Sequence, residues 1–425
     1  MGVAAQEKPD KWDLATCIDY ALDNNIQIQK SKITQEQNSV NTLQAKAQLF
    51  PNFSASVGQN FTNRPFLPAG SQNTTNAYNG SYGINASMTL FNGGKLLKSI
   101  EQSKLQEESG RYDILEVEKD IQMSILQYYM QILYAEEAVQ VYEDVVEVSK
   151  YQRDRGEALL LAGTISKVDL AQLEAQLSSD TYQLITARNT LDYARLQLKQ
   201  LLELDVDDEM NITIPEINDD DVLAPIPALN DIYYTSLEVM PQMQSSKLNI
   251  DIAALETAKA RAGYYPRVSL TASVGSSNLS GTGLTFEEQL RDNFSDGVGV
   301  TVSIPIYSNR DNKSAVEKAK LNEQIARLDY QDVQKNLLRE VELAYQDAVA
   351  AQNQYIAANE NVKALQTSYD LIQQQYNLGM KNTLELLTEK NNLLSAEQSL
   401  LQAKYTSIMN SQILNLYQDL PLEIK

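Results

Sequence analysis

"LFPNFSASVGQNF" occupies residues 49–61, and "YYPRVSLTASVGSS" occupies residues 264–277. Each opens on an aromatic–proline pair, Phe50-Pro51 and Tyr265-Pro266, and the two pairs lie 215 positions apart. Both stretches then alternate apolar with small polar residues, and both contain Ser-Val-Gly. Alternation with period two marks a strand with one apolar and one polar face. The proline drives the residue before it out of the α region, so each pair reads as the place where a helix gives way to a strand.

The surrounding sequence is duplicated in the same way. "SMTLFNGGKLLKSIEQSKLQ" (87–106) lines up with "SIPIYSNRDNKSAVEKAKLN" (303–322), and "AGTISKVDL" (162–170) with "LGMKNTLEL" (378–386), both at an offset of 216. Matches at nearly one offset point to two structural repeats. The predicted organisation is an extension at 1–12, a first repeat at 13–205, an acidic connector at 206–228 and a second repeat at 229–425. The repeats hold barrel hairpins at 51–91 and 266–307, with helix-hairpin turns near 163 and 379.

Long helices dominate the expectation. Positions 170, 173, 177, 180, 184, 187, 191, 194, 198 and 201 alternate steps of three and four, and only Asp180 among them is polar. The same register in the second repeat begins at Leu386. Such spacing is a coiled-coil seam, and its alanines call for close helix packing. Lys95 to about Arg155 and Lys313 to about Gln375 contain no proline. Some 60 helical residues would reach about 90 Å, too long for a globular core.

Four strands are predicted, each with a polar face of small uncharged residues. In 78–90 the apolar set is Tyr78, Tyr82, Ile84, Ala86, Met88 and Leu90; in 298–306 it is Val298, Val300, Val302, Ile304 and Ile306. Residues 63–77 and 277–293 read as long hairpin loops. Strands of about ten residues can cross a tilted path through a bilayer. Four cannot close a barrel, and open edges are not tolerated in lipid. The chain would therefore share a barrel with its own copies: a dimer would supply eight strands, a trimer twelve.

Composition limits the chemistry. Thirty-five basic and 56 acidic residues leave a net charge of −21, which argues against a nucleic-acid partner. The chain has no histidine, so Ser-His and Cys-His catalysis and histidine metal sites are excluded. Neither a cofactor nor a metal is expected, and "NDDD" (218–221) reads as a solvated connector. Lone Cys17 cannot form an intrachain disulfide. It lies in "LATC", but Lys8, Asp10, Lys11 and Asp13 stand where a lipoprotein signal would need an apolar core. Val3-Ala4-Ala5 has the form of a signal-peptidase site, giving residues 1–5 the look of a trimmed signal remnant; the alternative is an ordinary terminus. Trp12 is expected to anchor the first helix.

Taken in order along nearly the whole chain, "CIDYALDNNIQIQKSK", "LFPNFSASVG", "LFNGGKLLKSI", "AGTISKVDLAQLEAQL", "YYPRVSLTASVG" and "YNLGMKNTLELLTEKNNLL" resemble the TolC-like outer-membrane efflux family. The resemblance implies a mainly α chain with a pair of membrane β-hairpins. It implies a homotrimer with one twelve-stranded barrel in the outer membrane and an α-helical barrel crossing the periplasm. The partners implied are a periplasmic adaptor and an inner-membrane pump of the RND, ABC or MFS type. The activity implied is passive export without bond chemistry.

The turns Gly163-Thr164-Ile165-Ser166 and Gly379-Met380-Lys381-Asn382 would dock the adaptor. Asp169, Tyr376, Lys381 and Glu385 match the family's periplasmic gate, where links between neighbouring hairpins hold the tip closed. Lys381 stands where an arginine is familiar, which would reduce a bidentate link to a point-charge contact. Glu385 matches an acidic ring seen in some members, whereas Thr388 stands where a second acid would be. The residues alone also assign Asp169 and Glu385 to helix capping. A trimeric coiled-coil adhesin with a soluble β head is the competing architecture. An enzyme of polymer metabolism is disfavoured by the missing histidine and the lack of a clustered acid pair.

Overall fold

The computed structural model describes residue 9 and residues 11–63, 76–215 and 217–422. The signal-remnant stretch 1–5 and most of the first hairpin loop lie outside the described residues. The elements run α1 (Leu14–Asn24), α2 (Ile26–Ala47), β1 (Asn52–Asn63), β2 (Asn76–Asn92), α3 (Lys95–Leu161), α4 (Lys167–Leu201), α5 (Asp219–Val222), α6 (Leu229–Val239) and α7 (Pro241–Arg261). After a 3-10 turn at Ala262–Tyr264 come β3 (Arg267–Leu279), α8 (Phe286–Asp292), β4 (Ser295–Ser303), α9 (Asp311–Asn377) and α10 (Thr383–Tyr417).

The duplication is regular. Helices α3 and α9 both have 67 residues, and α4 and α10 both have 35. Each pair is related by a shift of 216, whereas α1 and α6 are related by 215. The expected long helices are thus continuous, and no described helix is long and apolar enough to cross a membrane.

The chain forms two compact units. One contains residues 1–33, 112–244 and 331–425; the other contains 34–111 and 245–330. In the first, Trp12, Cys17, Ala21, Ile125, Leu126, Tyr129, Ile132, Leu133, Leu198 and Leu202 share one core. Trp12 meets Tyr20 edge-on at 5.1 Å and its backbone pairs with the connector at Asn211 and Thr213. Asp13 caps α1 by accepting the Thr16 amide at 2.7 Å. Buried Asn25 separates α1 from α2: its Nδ2 donates to the Leu201 carbonyl at 2.9 Å and its Oδ1 accepts the Gln27 amide at 2.8 Å. One asparagine therefore serves the start of α2 and the end of α4. The predicted seam is buried at Leu173, Asp180, Leu184, Ala187, Leu191, Ala194 and Leu198. The "NDDD" stretch is a helical turn in which Asp221 accepts the Asn218 amide at 3.0 Å.

In the second unit the strands form an antiparallel sheet ordered β1-β2-β3-β4. The register aligns Phe53 with Ala86, Ala86 with Ala272, and Ala272 with Val298, so an apolar face runs across all four strands, interrupted further along by Gln59, Ser276, Asn278 and Asp296. Ser54, Asn85, Ser273 and Gly297 align on the other. All nine residues of β4 are exposed, as are all of β1 except Gly58.

Three sequence expectations are corrected here. A bulge between Thr89 and Phe91 places Phe91, not Leu90, opposite Val268 on the apolar face; an extra residue reverses the alternation beyond it. β4 ends at Ser303, so Ile304 and Ile306 lie outside the strand. Pro305 has no amide to donate to a ladder. The 277–293 segment is not wholly loop: β3 extends to Leu279, and α8 starts on a capping box between Thr285 and Glu288.

Candidate functional site

The two hairpin turns are built alike. Gly163 and Gly379 both have φ of 75°. In the first turn the Gly163 amide donates to Leu160 at 2.9 Å and the Thr164 amide to Leu159 at 3.0 Å. In the second, Gly379 donates to Tyr376 at 3.0 Å and Met380 to Gln375 at 2.9 Å. This Schellman pattern closes α3 and α9, and the left-handed residue it needs is most easily glycine.

The next helices open on reciprocal caps. The Ser166 hydroxyl accepts the Asp169 amide at 3.1 Å while Asp169 accepts the Ser166 amide at 3.0 Å. Asn382 accepts the Glu385 amide at 2.9 Å and Glu385 accepts the Asn382 amide at 3.1 Å. Both carboxylates also sit at the positive end of a helix. The Ser166 hydroxyl and amide hold the Asp169 carboxyl below its ordinary range. Lys381 is the main cause of the same shift in Glu385, followed by the Asn382 amide. Thr164 also donates its hydroxyl to the Leu159 carbonyl at 2.9 Å, while Met380 projects outward and is largely exposed.

Of the sequence-selected gate residues, the fold joins Lys381 to Glu385, at 2.5 Å. Among the described residues of one chain, no hydrogen bond joins Asp169 to Tyr376 or Lys381. The Tyr376 ring packs beside Tyr369, Leu386 and Leu393. Above the turns, Gly156 lets α3 approach α4: a Cβ there would stand 2.5 Å from Leu173 Cδ1. Phe50 and Tyr265 both stand exposed at helix–strand junctions. The Phe50 amide closes on Ala47 at 3.0 Å and the Tyr265 amide on Ala262 at 3.1 Å, after which Pro51 and Pro266 precede β1 and β3.

The sequence reading missed one arrangement. Lys390 Nζ lies 2.8 Å from Asp180 Oδ2, with side chains 5% and 3% exposed. Ser149 donates to Asp180 and accepts from Lys390, and Gln176 donates to the other Asp180 oxygen at 2.8 Å. Burial pushes the Lys390 ammonium below the ordinary lysine range, and Asp180 opposes that shift. The one visible clue was Asp180 itself, the polar interruption of an apolar seam. Among the described residues, no group of three or more acidic or cysteine side chains is placed to hold a metal.

Paired capped coiled-coil hairpins, together with a sheet whose apolar side chains stay largely exposed, define a duct-forming membrane subunit. The chain belongs to the outer membrane efflux protein family, whose profile matches residues 17–203 and 232–417. It is 24% identical to the outer membrane protein TolC of Escherichia coli K12 over 361 residues, covering 81% of this chain and 72% of TolC. It is 22% identical to the outer membrane efflux protein BepC of Brucella suis, covering 93% and 82%. Among solved structures, CusC superposes with a TM-score of 0.82 at 19% identity, covering 95% of this chain and 91% of CusC. The Campylobacter jejuni outer membrane channel CmeC superposes with a TM-score of 0.79 at 22% identity, covering 95% and 85%.

Proposed function

We propose that the chain is the outer-membrane channel subunit of a tripartite efflux or type I secretion system. It conducts substrate passively from the periplasm to the exterior. The observation that carries this reading is the sheet: four strands with a mainly apolar face whose large side chains stay exposed, such as Phe53, Val57, Ile84, Val298 and Val300, and two open edges. In lipid those edges require pairing, and three copies would close a twelve-stranded barrel. A soluble adhesin head would instead cover its apolar face, and the relatives are efflux channels.

The long hairpins form the periplasmic part of the duct, their turns meeting an adaptor that links them to an inner-membrane pump of the RND, ABC or MFS class. The two repeats, 13–205 and 229–425, supply equivalent hairpins, with 206–228 as the equatorial connector. The role is not enzymatic and uses neither cofactor nor metal. Asp169, Tyr376, Lys381 and Glu385 form the gate. Glu385 is drawn toward local capping by Lys381, so the gate acts through how firmly each tip keeps its shape as well as through links between chains.

Single-channel conductance of the purified protein in planar bilayers tests this. Wild type is expected to conduct poorly and Asp169→Ala/Lys381→Ala to conduct more. Equal conductance would remove the gate assignment; no conductance from either would remove the duct.

A further inference from the structure

We propose that the buried Lys390–Asp180 pair is a clamp that fixes where the tip opens. Resting on the duct reading above, it assigns these residues a positioning role.

Asp180 belongs to the seam by which α4 packs on α3, and Ser149 of α3 is one of its partners. Lys390 comes from α10, the other hairpin. Its ammonium is keyed into the first hairpin's seam, where it reaches both Asp180 and Ser149. Burying two charges is expensive unless their remaining hydrogen-bonding capacity is met. Here Gln176 supplies a further donor to Asp180. A hydrophobic pair would pack as well, whereas a charged pair selects one register, as a single polar seam residue does in coiled coils.

The clamp has flanking ties between the same hairpins. Gln176 and Asn391 exchange hydrogen bonds at 3.0 and 3.3 Å, and Gln152 donates to the Tyr369 hydroxyl at 3.1 Å. Further along α10, Lys404 contacts Glu137 at 3.0 Å. Toward the turns the cross-hairpin polar links are Arg155 to Asn377 and Thr383 to Asp169, neither of which is a buried ion pair like the clamp. Hairpins tied in this way cannot slide at the clamp level without exposing or stranding a charge. They can splay beyond it, over the seven helical steps from Thr383 to Lys390, about 10 Å of helix. The hinge of opening therefore lies at the level of Ser149, Asp180 and Lys390, and the tip beyond it moves.

The test is single-channel conductance of wild type, Asp180→Asn/Lys390→Met and the charge swap Asp180→Lys/Lys390→Asp, with trimer resistance to heat measured in parallel. The neutral double keeps volume and removes both charges. It is expected to raise open probability on the order of tenfold, as for a lost coupling between contacting residues, with trimers as heat-resistant as wild type. The swap is expected to return conductance toward the wild-type value. A merely structural pair would lower heat resistance and leave open probability unchanged; that outcome overturns the clamp. Should the neutral double fail to assemble, Ser149→Ala decides: a smaller rise supports the clamp and unchanged conductance overturns it. No conductance from wild type or from any assembled variant overturns the duct reading and the clamp together, whereas a conducting wild type matched by its variants overturns the clamp alone.

Discussion

Lys381 donates to Glu385 at 2.5 Å across one turn, while the other oxygen of that carboxylate accepts the Asn382 amide at 3.1 Å. One carboxylate thus closes the cap of α10 and neutralises the cation nearest the turn. The first hairpin has the Ser166–Asp169 cap, but Ile165 stands where the second has Lys381. The hairpins are structural duplicates with unequal electrostatics.

That inequality predicts separable effects at Glu385. Glutamine can still accept the Asn382 amide in a capping box, so Glu385→Gln should keep the cap and lose the charge. Trimer heat resistance should be unchanged, and block of the channel by multivalent cations should weaken in bilayer recordings. Unaltered block would show that the ring does not govern cation access.

The caps also predict an acid limit. Asp169 and Glu385 have carboxyls lowered from ordinary values of 3.8 and 4.5. Each lowered group contributes fully above its ordinary value, and the contribution is lost as pH falls through the lowered one. Tip order, read by hydrogen exchange near 163–169 and 379–385, should hold above about pH 5 and decline below about pH 4. The decline should be smaller in Glu385→Gln.

Gly163→Ala and Gly379→Ala should each destabilise a turn by roughly 1–2 kcal/mol through left-handed backbone strain. A Cβ at either position meets nothing within 4 Å, so clash makes no contribution. Local exchange protection should fall while the barrel's resistance to heat stays as in wild type.

Neighbouring residues on β3 provide the barrel test. Leu270 lies opposite Met88 and Val300 on the apolar face, whereas Thr271 lies opposite Ser87 and Gly299 on the polar one. Leu270→Arg should cost roughly 2–4 kcal/mol if it faces lipid near the midplane, and Thr271→Arg far less. Recovery of heat-modifiable trimer from outer membranes checks the contrast; equal recovery would argue against the face assignment.

Cys17 is fully buried in α1, and burial pushes its thiol up to about 12. Maleimide should therefore label it only after denaturation. Rapid labelling of the folded protein would show that the α1 core opens readily.

Helices and turns were legible because their causes are local: heptad spacing, unbroken runs without proline, and a glycine followed three residues later by Ser166 or Asn382. The strand faces followed from alternation until an extra residue at the Thr89–Phe91 bulge reversed it, which periodicity cannot foresee. The end of β4 was written in Pro305 but masked by the alternating isoleucines around it. Lys390 was invisible for another reason. Its own helix gives it no special register, and its partner, 210 positions earlier, is chosen by packing between hairpins. Asp169 and Glu385, which the resemblance matches to a gate, are capping groups, as their three-residue spacing from Ser166 and Asn382 indicates.

The open edges of the sheet have a genetic consequence. Each subunit must lend one edge to each neighbour, so no ring can be completed around a defective copy. If half the subunits in a cell were defective and mixed freely, roughly one threefold ring in eight would be wholly sound. A lesion in β1 or β4 should therefore act dominantly when coexpressed with the intact gene, whereas a chain too damaged to enter the ring should be recessive.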